Sequence, residues 1–412
     1  MQRSWTDRKG PIGTALAEAV RPPGAPGRAR LRRVARSDAA GLVEAAVRHG
    51  VAGYLQLAMA RDPVALSALA REGLSDVCRA QFARHVRLSA ELVQVGHLLD
   101  ERDIPWVSFK GPVLAETAHR RPDLRAYVDL DLLVDGEDLP LALTTLEDAG
   151  CRLLERNWPR MGHLLPGQVH LLTPAQTLLD LHWHVLDDPA LRRDARMDSS
   201  TLISRSRPVA LPTGPVPTFD PADTVVHLCV HAAQSGGNRL IWLVDIDRAL
   251  ALTGLDEVVD RALEMRVGPA VEVMLRRARA VLGTPVATGQ LRRLVPEPSW
   301  RAVSSMSVVL PPVNRARGEG SVSRLVARAT RSGSTSSERE AIRRLGGWLR
   351  HGMTMAEHDS RGLWDARNPE SMFYEDGDAD GRGRFLRAVR VEAQGDSASR
   401  ARSSAAPSSG SE

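Results

Sequence analysis

The segment Val128-Asp-Leu-Asp-Leu-Leu-Val134 is a dense run of strand-forming residues that begins with alternating aspartate and leucine. Side chains of a strand point alternately to its two faces, so Asp129 and Asp131 share one face, with Cα atoms about 6.5–7 Å apart. Paired carboxylates are hard oxygen ligands that suit Mg²⁺ or Mn²⁺, and without a cation they repel one another. The alternative is that both aspartates face solvent on a half-exposed strand, and the spacing alone does not decide between the two.

A strand followed by a turn precedes this segment. Pro105-Trp-Val-Ser-Phe109 has the pattern of a short buried strand, and Lys110-Gly111-Pro112 follows it. Glycine allows a phosphate to approach backbone N–H groups, and a lysine supplies a cation for that phosphate. The chain has only two lysines against 53 arginines, which draws attention to Lys110. A simple turn between a strand and a helix explains the same residues.

A third aspartate lies on a later predicted strand, Leu178-Leu-Asp-Leu-His-Trp-His184. The strand period places Asp180, His182 and His184 on one face. A carboxylate there would complete a metal site or accept a proton from an attacking hydroxyl. The alternative is an ordinary aspartate at a strand edge.

Helices and strands alternate through the middle of the chain, which predicts an α/β (α+β) fold with a mixed-sheet core and helical regions on both sides. The chain is thus divided into five parts. These are a disordered basic arm at 1–36, an N-terminal helical region at 37–100, the core at 101–215, a C-terminal helical region at 218–290, and a mostly disordered tail at 291–412 with one weak helix near 338–353.

Composition excludes several classes of protein. The formal net charge is +5 in 412 residues and aromatic residues make up 4%, which argues against nucleic acid as a partner. Cys78, Cys151 and Cys229 form no C-x-x-C motif, so neither a disulfide framework nor a thiolate zinc site is expected. No apolar run reaches the length of a membrane span and no secretory signal is visible. We therefore expect a cytoplasmic protein without a membrane partner.

The order of these motifs resembles the DNA polymerase beta-like nucleotidyltransferase superfamily, and more closely an uncharacterised bacterial nucleotidyltransferase family within it. The resemblance covers about residues 38–285. The matching positions are Phe109-Lys110-Gly111, Arg125 with Asp129-Leu-Asp131-Leu-Leu-Val134, Asp180-Leu-His182-Trp183, and His227…His231 with Trp242…Asp245.

The resemblance implies Mg²⁺- or Mn²⁺-dependent transfer of a nucleoside monophosphate, AMP from ATP in the first instance, to a hydroxyl of a small molecule or a protein. It implies that Asp129, Asp131 and Asp180 hold the metal ions and that Asp180 also serves as a base. Lys110, Gly111 and Arg125 would bind the triphosphate. The serine that follows the glycine in the wider superfamily is replaced here by proline.

Several other histidines and one further aspartate are candidates of lower rank. His227 and His231 are spaced i, i+4 on a predicted helix, which suits zinc, and with His182 they are also candidates for lining the cleft. Asp245 is expected either to contact a histidine in the interior or to lie on a helix surface. Two alternatives to the transferase stay open at this point, a non-catalytic nucleotide- or partner-binding protein on the same fold and a zinc-dependent hydrolase.

Overall fold

The computed structural model describes residues 11–21, 28–61, 66–119, 121–309, 365–375 and 380–404, with isolated positions between 330 and 343 and at 377–378. The chain divides into two compact units. The helical unit comprises Met1–Ala90, Lys110–Val128 and Asp220–Met355, and the sheet unit comprises Glu91–Phe109, Asp129–Phe219 and Ala356–Glu412.

The sheet unit is built on a mixed five-stranded sheet with the strand order β1-β2-β5-β4-β3. Its strands are β1 (Trp106–Ser108), β2 (Asp129–Val134), β3 (Arg152–Leu153), β4 (Gln168–Leu172) and β5 (Leu178–His182). Strands β2 and β5 are parallel and the other pairs are antiparallel. The α/β mixed-sheet core expected from the sequence is therefore confirmed.

One face of this sheet is apolar except for Ser108 of β1, which lies opposite Leu132. Leu130, Leu132, Leu179 and Leu181 have no solvent exposure, and they alternate along β2 and β5 with polar residues. This alternation fixes the strand register, because a slip of one residue would turn the polar side chains into the core. The polar residues of β2 and β5, which are Asp129, Asp131, Asp180 and His182, therefore lie on the opposite face of the sheet.

Short helices and a hairpin complete the sheet unit. Their bounds are α7 (Leu139–Asp148), α8 (Trp158–Leu164), α9 (Pro189–Asp194), α10 (Ser199–Ser204), β6 (Arg207–Leu211), β7 (Gly214–Thr218) and, at the C-terminal end, α17 (Gly381–Ser404). The proline-rich segment 207–218 forms this hairpin. Its prolines are tolerated because β6 and β7 pair only with each other, so each has an edge that needs no ladder hydrogen bond.

The helical unit consists of packed helices and one 3₁₀ turn, Pro122–Leu124. The helices are α1 (Pro11–Val20), α2 (Ala29–Ser37), α3 (Ala39–Arg48), α4 (Ala52–Arg61), α6 (Gly111–Thr117), α11 (Pro221–Gln234), α12 (Leu240–Leu250), α13 (Leu255–Glu264), α14 (Gly268–Leu282), α15 (Thr288–Leu294) and α16 (Pro298–Val309). The long helix α5 (Ala68–Asp100) belongs to the helical unit up to Ala90. Asp220 caps the start of α11, since its carboxylate accepts a hydrogen bond from the Ala222 N–H and Pro221 follows it.

Parts of the two segments expected to be disordered, 1–36 and 291–412, are helical where the structure describes them. Helices α1 and α2 pack together, and Leu16, Leu31 and Val34 are buried. In α17 Phe385 and Val389 are buried as well. In α2 and α17 a few apolar residues stand among many arginines, so that average composition conceals the buried face. The weak helix expected near 338–353 lies almost entirely outside the described residues.

Among the helices that the structure describes, none combines the length and the hydropathy needed to cross a bilayer.

Candidate active site

The polar face of the sheet gathers acidic and imidazole side chains from three neighbouring strands. In the parallel pair β2–β5, Asp131 lies directly opposite Asp180, and Leu133 lies opposite His182. In the antiparallel pair β4–β5, His170 lies opposite Asp180. Residues in register have side chains on the same face, so strand pairing alone brings these groups together.

Three of these residues form a cluster with the geometry of a metal site. One ligand atom each from Asp131, Asp180 and His182 can be chosen so that all three lie within 4.8 Å of one another. The imidazole Nε2 of His182 is 3.3 Å from Oδ1 of Asp131. Asp131 and His182 are buried and Asp180 is nearly so. Asp129 occupies the same face at the start of β2 but is outside this group.

The carboxylates of this cluster lie close together in a buried environment, which disfavours their charged forms. Burial, and then the charges of Asp131 and Asp129, raise the pKa of Asp180 to about 6. The Oδ1 atom of Asp180 is buried and forms no hydrogen bond with any described residue. A buried oxygen in this state is costly unless a proton or a cation satisfies it. The donor set therefore fits a divalent cation.

His170 and Glu155 form a second buried pair beside the cluster, which the sequence analysis did not identify. Glu155 is fully buried and accepts hydrogen bonds from both the backbone N–H and Nδ1 of His170. The other ring nitrogen of His170 is 4.0 Å from Oδ1 of Asp180. Burial alone would lower the pKa of His170, but the hydrogen bond and the charge of Glu155 outweigh it and raise the pKa. The sequence alone shows that Gln168, His170 and Leu172 would share one face of a strand. It does not show that this strand pairs with β5 so that His170 lies opposite Asp180.

Lys110 and Gly111 belong to the helical unit, between the end of β1 and the start of α6. Gly111 has a φ of +46°, a conformation that other residues adopt only with strain, so the turn requires glycine. Lys110 is partly buried. Their assignment to the triphosphate stays a prediction.

Arg125 is held in a buried ion pair in the helical unit. Its Nε and Nη2 atoms donate to the two carboxylate oxygens of Asp245, at 3.0 and 3.2 Å. Asp245 also accepts from Nε2 of His119 at 2.8 Å, and Nδ1 of His119 accepts from the Tyr54 hydroxyl at 2.7 Å. Burial would raise the pKa of Asp245, but Arg125 and His119 together lower it. Asp245 thus takes the interior contact to a histidine, one of the two positions expected for it.

His227 and His231 lie on α11 with their rings stacked 6.1 Å apart, and His231 also contacts Trp242. Neither histidine belongs to a group of potential metal ligands among the residues that the structure describes. His184 lies beyond the end of β5, and its Nδ1 accepts the backbone N–H of Leu186.

The chain was also compared with known proteins. No curated protein sequence matches the chain. Among solved structures, that of the antibiotic-resistance factor ANT(2'')-Ia is similar over 42% of this chain and 88% of its own, at 15% identity and a TM-score of 0.31. A family described as uncharacterised nucleotidyltransferase matches residues 35–283, which is more than half of the chain. The chain belongs to this nucleotidyltransferase family and is a transferase of nucleoside monophosphates.

Proposed function

We propose that the protein transfers a nucleoside monophosphate, AMP from ATP in the first instance, to a hydroxyl of a small molecule or a protein, with Mg²⁺ or Mn²⁺ at the Asp131–Asp180 cluster. In this reaction the acceptor oxygen forms a bond to the α-phosphorus while the bond to pyrophosphate breaks. The acceptor loses its proton and the products are an ester of the monophosphate and pyrophosphate.

The observation that carries the proposal is the register of β2 and β5. It sets Asp131 and Asp180 side by side on one buried face, with His182 within reach of the same ion. A bound divalent cation would polarise the phosphate and acidify the acceptor hydroxyl. Asp129 lies two residues before Asp131 on the same face and is proposed as a further carboxylate of the site.

The side chains divide this work according to their surroundings. Asp180 is proposed, from the family resemblance, both as a metal ligand and as the base that accepts the proton of the acceptor hydroxyl. Asp131 is more deeply buried and faces His182, which suits a fixed ligand. Lys110 and Gly111 are proposed, from the family resemblance, to contact the triphosphate. The pairing of Arg125 with Asp245 favours a role for Arg125 in holding its own segment.

The test is an incubation of the purified chain with each α-labelled nucleoside triphosphate, with Mg²⁺ or Mn²⁺, and with candidate hydroxyl acceptors, while pyrophosphate release and label transfer are measured. Asp131→Asn and Asp180→Asn should each abolish turnover. Asp148→Asn is the matched control, because this exposed residue ends α7 in the same unit and its carboxylate forms no hydrogen bond or ion pair with the described residues. Equal turnover by the wild type and by both site variants would refute the proposal.

A further inference from the structure

The ion-binding cluster contains an imidazole where an all-oxygen site would have a third carboxylate or water. His182 follows Asp180 by two residues on β5 and therefore shares its face. Its ring is fixed by an edge-to-face contact with Phe109, with ring centroids 5.0 Å apart. A ring held in this way presents its nitrogens in a defined direction, as a metal ligand must.

The separation between His182 and Asp131 suits two ligands of one ion. Their facing atoms, Nε2 and Oδ1, are 3.3 Å apart. Adjacent ligand atoms of an octahedral ion with bonds of about 2.1 Å are separated by about 3 Å. Either a proton on Nε2 or a cation shared by the two atoms satisfies this contact.

Two buried atoms of the cluster have no hydrogen-bond partner among the described residues. They are Nδ1 of His182 and Oδ1 of Asp180. With a proton on Nε2, the lone pair of His182 remains on Nδ1 in a buried place without a donor. With a cation at Nε2, the proton moves to Nδ1 and the lone pair is used. Metal binding therefore uses the lone pair of the imidazole, and the Nδ1–H is then buried without an acceptor among the described residues.

The second imidazole on this face occupies a different position. His170 is tied to Glu155 through Nδ1, and its Nε2 is 4.0 Å from Asp180. It lies outside the group whose atoms are mutually within 4.8 Å. His170 is therefore a neighbour of the site that is held by Glu155 and by Gln168, whose amide nitrogen is 3.1 Å from Nε2 of His170.

We propose that His182 is a direct metal ligand and that the resident ion is accordingly a transition ion of the Mn²⁺ class in preference to Mg²⁺. Imidazole suits first-row transition ions, whereas Mg²⁺ prefers oxygen ligands and retains its waters. The inference deepens the proposed function, since it concerns the ion at the same cluster, but it can be tested without any substrate.

The experiment is pulsed electron paramagnetic resonance of Mn²⁺ bound to the full-length chain, which detects directly coordinated nitrogen. Wild-type protein should show ¹⁴N modulation, and protein labelled with ¹⁵N-histidine should show the corresponding ¹⁵N signal. The modulation should disappear in His182→Gln and persist in His170→Gln. His163→Gln is the control, because His163 is an exposed histidine on α8 of the same unit.

Calorimetric titration with Mn²⁺ and with Mg²⁺ gives the second measurement. His182→Gln should weaken Mn²⁺ binding at least about tenfold and change Mg²⁺ binding less, because an amide oxygen replaces the nitrogen. Bound Mn²⁺ without nitrogen modulation, modulation that survives in His182→Gln, or tighter binding of Mg²⁺ than of Mn²⁺ would each overturn the inference. Labelling of the wild-type protein decides the nitrogen question even where His182→Gln does not fold. If pyrophosphate release still depends on Asp131 and Asp180, the proposed transferase stands while this inference fails.

Discussion

Replacing Asp180 by asparagine should stabilise the metal-free protein while it destroys the site. Burial and neighbouring carboxylates raise the pKa of Asp180 from 3.8 to about 6. In the unfolded chain the Asp180 carboxyl ionises with its ordinary pKa of 3.8. Above pH 6 the folded protein also carries this negative charge, but its buried surroundings make the charge unfavourable. The difference corresponds to about 3 kcal/mol of lost folding free energy at neutral pH.

The sign and the pH window follow from the direction of this shift. A raised carboxyl pKa means that folding takes up a proton between about pH 4 and 6, so this destabilisation grows as the pH rises through that window. It is about 3 kcal/mol at pH 7.5 and about 1 kcal/mol at pH 4.5. Asparagine has no charge at either pH, and Oδ1 of Asp180 has no hydrogen bond to lose among the described residues.

Thermal unfolding in EDTA measures the effect. A gain of about 3 kcal/mol should raise the Tm of Asp180→Asn by about 6–12 °C at pH 7.5, and the gain should shrink at pH 4.5. Saturating Mn²⁺ should stabilise the wild type, by about 2.7 kcal/mol at a hundredfold excess over Kd, and should leave the variant almost unchanged. The control Asp148→Asn should show none of these effects. A variant less stable than the wild type in EDTA at pH 7.5, or a difference that does not shrink at pH 4.5, would refute the reasoning.

Three further predictions concern other parts of the chain. Asp245→Asn should lower the free energy of unfolding, measured by urea titration, by about 3–5 kcal/mol, because the Arg125 guanidinium is left buried without its counter-charge. The double variant Arg125→Met with Asp245→Leu removes both charges and should recover most of this loss. Gly136→Ala should loosen the packing of α17 and increase tryptic cleavage within it, since the added Cβ would lie 2.8 Å from a side chain of that helix. In the control Gly162→Ala the added Cβ has no neighbour within 4 Å, so tryptic cleavage of α17 should not change. In steady-state assays, Lys110→Met should raise the KM for the triphosphate more than it lowers kcat. An unchanged KM would refute the assignment of Lys110 to the triphosphate.

The fold and its family could be predicted from the sequence because the deciding signals are local. The Asp-x-Asp strand, the later aspartate and the family resemblance all depend on residues close together in the chain. The resemblance is confirmed by the family match over residues 35–283. The assignment of individual side chains to metal, phosphate or base remains a prediction, since the chain alone identifies which groups are available and not which ion or substrate they meet.

The parts that were missed depend on long-range pairing. Glu155 and His170 become neighbours of Asp180 only through the antiparallel register of β4 and β5. The family resemblance assigns Arg125 to phosphate, which stays a prediction, but the sequence did not reveal its buried pairing with Asp245, 120 positions away. The helices α1, α2 and α17 lie in segments that were expected to be disordered because each segment as a whole is rich in arginine and poor in apolar residues. In each case the missing information is which surface the segment packs against.

The apolar face of the sheet explains how the protein can maintain a disfavoured charge on the other face. Each fully buried leucine contributes about 1.5–3 kcal/mol to folding. Leu130 and Leu132 on β2, and Leu179 and Leu181 on β5, flank the aspartates and have no solvent exposure. Burial of two of them already matches or exceeds the penalty of about 3 kcal/mol at Asp180. We therefore expect the sheet to form without an ion, unlike small domains that fold around structural zinc. Because the strands would fix the carboxylates before an ion arrived, binding would have only a modest ordering cost, and an ion would relieve the repulsion between the carboxylates of the metal-free cluster.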